Sequence, residues 1–123
     1  MPSKRGRQCF SDVRGAIALI RGWIVEAGGI EQAVFHKVVY RNAIERQLLL
    51  LSEAAIRLDK LDPALAARLA PSIDWPGIRG IGNFIRHKYD DLDSQIIQDV
   101  LTGRLDELDA ACERALAALD AEP

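Results

Sequence analysis

No run of about 18 apolar residues occurs anywhere in this chain, so no segment is expected to cross a membrane as a helix. The opening Met1 to Arg7 is too polar, and too soon followed by Cys9-Phe10-Ser11-Asp12, to read as a secretory signal. A soluble, cytoplasmic protein is the expectation. Cysteine is scarce: Cys9 and Cys112 lie near opposite ends, without CxxC spacing or a nearby histidine cluster, which argues against a zinc site or redox pair and leaves two ordinary buried or half-buried thiols. No metal or cofactor is expected. Period-two alternation, internal repeats and low-complexity linkers are also missing, so neither a sheet nor a repeat array is expected.

With 123 residues the chain suits a single domain, 1–123, with 1–8 expected as a flexible N-terminal tail. Its net charge of −2 hides an asymmetry: residues 1–89 hold 14 basic and 8 acidic groups, residues 90–123 hold 2 and 10. A phosphate-attracting patch can therefore coexist with an acidic isoelectric point.

Helical periodicity fills the chain. Ser11 is a candidate N-cap, followed by Val13, Ile17, Ile20, Ile24 and Ala27 on one face and a stop at Gly28-Gly29. After a short segment from about Ile30 to His36, Ile44, Leu48, Leu51, Ala55 and Leu58 form a stripe that Leu49 and Leu50 widen, as for a helix packed on two sides. Asp62-Pro63 opens a short helix to about Ala70, and another begins near Trp75-Pro76. From about Asp93 a segment with Ile96, Ile97, Val100 and Leu101 reaches Gly103, which should break or kink it. Leu105, Leu108, Cys112, Ala115 and Leu119 then mark the inner face of the last helix. The prediction is an all-α bundle of four to five helices with short connections.

The chemistry concentrates between Trp75 and Tyr89. At about 100° per residue, and with Asn83 as zero, Arg79, Arg86 and His87 share one arc of roughly 100°, while Ile78, Ile81 and Ile85 take the opposite side, as a core would want. Gly77, Gly80 and Gly82 cost about 1 kcal/mol each against Ala, so close approach of a backbone or a phosphate is one reading of them, and a kinked or ended helix the other. An exposed Arg/His/Asn face is, on an arbitrary helix, more often plain polar surface. The combination nonetheless equips metal-independent RNA cleavage: His87 can take a ribose 2′-hydroxyl proton, arginine can stabilise the phosphoryl transition state, and Asn83 can orient a group. Departure of the 5′-oxygen needs a second proton carrier. A twofold dimer would provide it as a second His87, whereas His36, beside Lys37 in a weakly patterned connection, is a poor candidate.

Trp75 through Asp93 resembles the signature of the HepT-like HEPN family, in which a tryptophan opens the segment and an arginine, four residues, a histidine, one residue and a tyrosine follow. The matching pieces are Ile73-Asp74-Trp75, Gly80-Ile81-Gly82-Asn83, His87-Lys88-Tyr89 and Asp91-Leu92-Asp93. Tyr40-Arg41-Asn42-Ala43-Ile44-Glu45 through Ser52-Glu53-Ala54-Ala55 is similar to the family's central helix, which usually reads glycine-glutamate-alanine where this chain has Ser52-Glu53-Ala54. The resemblance covers about Phe10 to Leu119. It implies a helical homodimer with its motif at the dimer cleft, paired with an MNT-type nucleotidyltransferase antitoxin. It further implies an RNase toxin with His87 catalytic, RNA rather than DNA as substrate, and Tyr89 accepting AMP from ATP. Gly82 stands where the motif carries arginine. Either Arg86 or Arg79 replaces that arginine, or the protein is a non-catalytic binding subunit that pairs with a nucleotidyltransferase or binds a nucleotide.

Overall fold

The computed structural model describes residues 2–86 and 92–122. Six α-helices occur among them, with no strand: α1 (Pro2–Ala27), α2 (Val38–Leu61), α3 (Pro63–Leu69), α4 (Trp75–Arg86), α5 (Leu92–Asp99) and α6 (Leu105–Ala121). Two π-helical turns, Gln32–His36 and Val100–Arg104, lead into α2 and α6. The all-α expectation holds. The count exceeds four to five because α5 and α6 form one almost continuous helix interrupted by a π-turn.

Phe10, Val13, Ile17 and Ile20 of α1 are buried at the three-and-four spacing that makes one helix face apolar. Where α1 ends, Gly28 and Gly29 take φ of 98° and 122°, left-handed values that glycine alone adopts without strain, and the Gly29 amide donates to the Ile24 carbonyl at 2.9 Å. Lys37 caps the same end, its Nζ donating to the Ala27 carbonyl at 2.7 Å. The start differs from expectation. Ser11 is no N-cap, because α1 begins at Pro2 and so runs through the segment 1–8 expected as a tail. Tertiary contacts explain the extension: Gly6 lets Leu65 of α3 approach so closely that a Cβ there would lie 2.5 Å from it, and Arg7 pairs with Asp120 of α6.

Helix α2 is packed on two sides as its broad stripe predicts, with Ile44, Leu48, Leu51, Ala54, Ala55 and Leu58 buried between α1 and α4. Asp62 caps α3 by accepting from the Ala64 amide at 3.2 Å, with Pro63 in the first turn. Leu105, Leu108, Cys112, Ala115 and Leu119 of α6 are all buried against the rest of the core. Burial pushes the Cys112 thiol up to about 12, and also raises that of Cys9 despite the Arg57 guanidinium nearby, so both are neutral thiols at physiological pH.

The charge asymmetry takes on a different meaning in three dimensions. Part of the positive charge of residues 1–89 is matched with the acidic C-terminal end: Arg14 donates to Asp109 at 2.9 Å and lies 3.6 Å from Glu113, Arg21 reaches Asp106 and Asp109, and Arg68 reaches Glu122 at 3.0 Å. Burial would raise the Asp109 carboxyl, but hydrogen bonds from Arg14 and Arg21 outweigh it and hold the group below the usual carboxylate range. No described helix is long and apolar enough to cross a membrane.

Candidate functional site

Helix α4 begins where Asp74 accepts from the Gly77 amide at 3.1 Å, a capping geometry that leaves no room for a side chain at 77. Trp75 anchors it. The indole Nε1 donates to the Ala70 carbonyl at 3.1 Å, and the ring meets Phe10 of α1 edge-on at 6.2 Å between centroids. One turn after another, Trp75, Ile78 and Gly82 are the buried positions of α4, within an arc of about 60° at 100° per residue.

That face is not centred where the isoleucine pattern puts it. Ile78 is buried, but Ile81 and Ile85 are only partly so, and they line with Phe84, Leu48, Ile97 and Val100 an apolar groove of about 170 Å³ toward α5. The reason is Gly82. Its amide donates to Ser52 Oγ at 3.0 Å while that hydroxyl donates to the Arg79 carbonyl at 2.7 Å, so α4 lies directly on α2. A Cβ at position 82 would fall 2.9 Å from Ser52 Oγ and 3.2 Å from Leu49. Of the two readings of the glycines, close approach of a backbone therefore applies at Gly82; Gly80 faces open space beside the apolar groove.

The two departures from the HepT-like pattern, serine for glycine at 52 and glycine for arginine at 82, thus touch each other. Position 82 points at α2, so Gly82 leaves the solvent edge of α4 to other side chains. Asn83 and Arg86 are exposed and Arg79 is half-buried. Arg86 Nη2 donates to Glu53 Oε1 at 3.3 Å, and Arg79 Nη1 lies 3.7 Å from Asp59 Oδ1. Since the later residue of α4 meets the earlier residue of α2, the helices run antiparallel, and both arginines are held along α2 by single carboxylates. His87 and Tyr89 lie outside the described residues, immediately past Arg86.

Glu53 and Asp59 are the partners that helix periodicity does not reveal. A second group also escaped it: Arg41 of α2 donates through Nε to Glu45 at 3.3 Å and through Nη1 to the buried Ser94 hydroxyl of α5. This contact fixes the start of α5 to α2, a few residues beyond the motif segment. Among the described residues no three His, Cys, Asp or Glu side chains cluster so as to hold a metal ion.

No curated protein and no solved structure matches the chain. The family described as ribonuclease HepT-like matches residues 14–115, which spans α2, α4, the motif segment and most of α1 and α6. With most of its length matched, from the ion-paired helix α1 through the Ser52–Gly82 contact, the chain belongs to the ribonuclease HepT-like family.

Proposed function

We propose that the protein is the toxin of a toxin–antitoxin pair, a metal-independent endoribonuclease acting as a homodimer. The observation that carries this reading is the family match together with a cationic, exposed end of α4, Asn83 and Arg86, directly before position 87. His87 takes the proton of a ribose 2′-hydroxyl and the freed oxygen attacks the adjacent phosphorus. The 5′-oxygen leaves with a proton from His87 of the partner subunit, and a 2′,3′-cyclic phosphate remains. Arg86 stabilises the phosphoryl charge. Arg79 is less suited, because it is half-buried toward Asp59 and lies eight residues, about 12 Å along the helix, from position 87. Asn83, one turn before His87, orients the ribose or phosphate.

Tyr89 is the regulatory handle. An MNT-type nucleotidyltransferase antitoxin transfers AMP from ATP to its hydroxyl, with pyrophosphate leaving. The added negative charge and bulk oppose RNA binding.

A second reading is favoured by Gly82: the position of the motif arginine is given over to packing on Ser52, as in a subunit that keeps the family dimer and binds a nucleotidyltransferase or a nucleotide without cutting RNA. Incubation of bulk RNA with purified protein and with His87→Ala, in chelator and after mass spectrometry has excluded bound AMP, separates the two. The nuclease reading expects cleavage that disappears in the variant; intact RNA in both samples establishes the binding subunit.

A further inference from the structure

Helix α2 carries cations that the fold does not consume. Arg46, Glu53, Arg57 and Lys60 fall within an arc of about 60° at 100° per residue, on the side of α2 away from the buried Leu51, Ala55 and Leu58. Arg46, Arg57 and Lys60 are exposed, and Arg46 and Lys60 have no ion-pair partner among the described residues. Arg57 is shared with Asp12 at 2.9 Å, which leaves most of its five N–H donors available. From residue 46 to residue 60 the stripe extends about 21 Å along the helix. Its far end opens into a groove of about 380 Å³ that Arg5, Arg57, Lys60 and the carboxylate of Asp12 border above Cys9 and Leu61.

The middle of this stripe adjoins the candidate site. Glu53, flanked by Arg46 and Arg57, is the residue that holds Arg86, so the end of α4 and the cations of α2 lie on the same side of the molecule. The arginines of α1 at 14 and 21, by contrast, are matched with the carboxylates of α6. Two cations unpaired among the described residues and a third shared with one carboxylate over that length, beside the arginine proposed to stabilise phosphate, have the charge and spacing to track a polyanion.

We propose that Arg46, Arg57 and Lys60 form a binding track for the phosphate backbone of single-stranded RNA, which leads the strand across α2 to Arg86. The inference rests on the nuclease reading for the identity of the polyanion. It concerns the strand flanking the cut and not the reacting phosphate.

The test measures binding of a fluorescein-labelled single-stranded RNA oligonucleotide by anisotropy, with every protein carrying His87→Ala so that cleavage cannot intervene. Adding Arg46→Ala and Lys60→Ala, both at exposed positions and checked for fold by circular dichroism, should raise Kd at least tenfold. It should also reduce the slope of log affinity against log salt by about 1.4, two contacts at about 0.7 each. Arg114→Glu on α6 removes the same two units of charge away from the stripe and should change Kd less than threefold. Equal weakening by both variants would reduce the track to a general charge effect and overturn it. Unchanged binding in the α2 variant overturns it too while leaving the nuclease reading standing, since RNA is then bound elsewhere. Absence of RNA binding by the parent protein removes both.

Discussion

Two seams join the long helices of this bundle, and they use arginine in opposite ways. Along α1 and α6, Arg7, Arg14 and Arg21 each meet a carboxylate of the facing helix, and Asp109, with 14 % of its side chain exposed, receives two guanidiniums. Between α2 and α4 the close contact is made by the smallest groups available, the Gly82 backbone and the Ser52 hydroxyl, and the arginines stand at the edge with one half-exposed carboxylate each. In the first seam the arginines flank a buried apolar contact and are each matched by a facing carboxylate. In the second, backbone contact sets the approach and each arginine keeps a single carboxylate at the edge.

The sharpest way to break the comparison is to put a large side chain into the second seam. Gly82→Arg drives a Cβ against Ser52 and Leu49, so thermal or urea unfolding should show a loss of up to about 3 kcal/mol, with overpacking as the cause. Adding Ser52→Gly should recover most of that stability. If the new guanidinium then reaches the site, the double variant should cleave RNA faster than the parent; failure of Ser52→Gly to restore stability would refute the account of the Ser52–Gly82 contact.

Next in size is Asp109→Asn, which removes the carboxylate that Arg14 and Arg21 share and should cost about 2 kcal/mol at neutral pH. Because its folded pKa is depressed, the stabilisation is fully present above the unfolded value of about 4 and is lost as pH falls through the lower folded value. Unfolding curves of the wild type and the variant should therefore converge below about pH 4. Persistence of the full gap in acid would show that the carboxylate charge is not what matters.

Arg86→Ala has the smallest structural effect. Its pair with Glu53 is half-exposed, so stability should change by less than about 1 kcal/mol while RNA cleavage falls on the order of a hundredfold. A variant that keeps full cleavage would transfer the phosphate-stabilising role to Arg79 or to another group.

How far the sequence reaches follows the same division. Stripes such as Val13-Ile17-Ile20 or Leu105-Leu108-Cys112 are local patterns, and the helices they predict are present. Partners about 90 residues apart are not local, which is why the sequence does not show that Arg7, Arg14 and Arg21 of α1 are matched by carboxylates of α6. Ser11 misleads in a similar way: it is a good capping residue, but Gly6 and Arg7 find tertiary partners that carry the helix past it. In the site, an ideal helix wheel correctly places Asn83 and Arg86 toward solvent yet turns the isoleucines too far inward, because it cannot know that Gly82 is the point of closest approach. That signal was present as a pair, since the chain departs from the HepT-like pattern at 52 and at 82 together. His87 and Tyr89 rest on that pattern alone.

The π-turn at Val100–Arg104 acts as a phase setting for the last third of the chain. Its wider i→i+5 bonding absorbs an additional residue in the turn, so that the buried Ile97 of α5 and Leu105 of α6 come about 20° apart where a regular helix would set them about 80° apart. Deleting one residue there would leave a regular helix with α5 and α6 in the same relative phase, whereas the same deletion in a regular helix turns one end by about 100° against the other. Ser94 would keep its place against Arg41. The turn thus lets the chain carry one residue more beside the groove of α4 without moving Ser94 off Arg41.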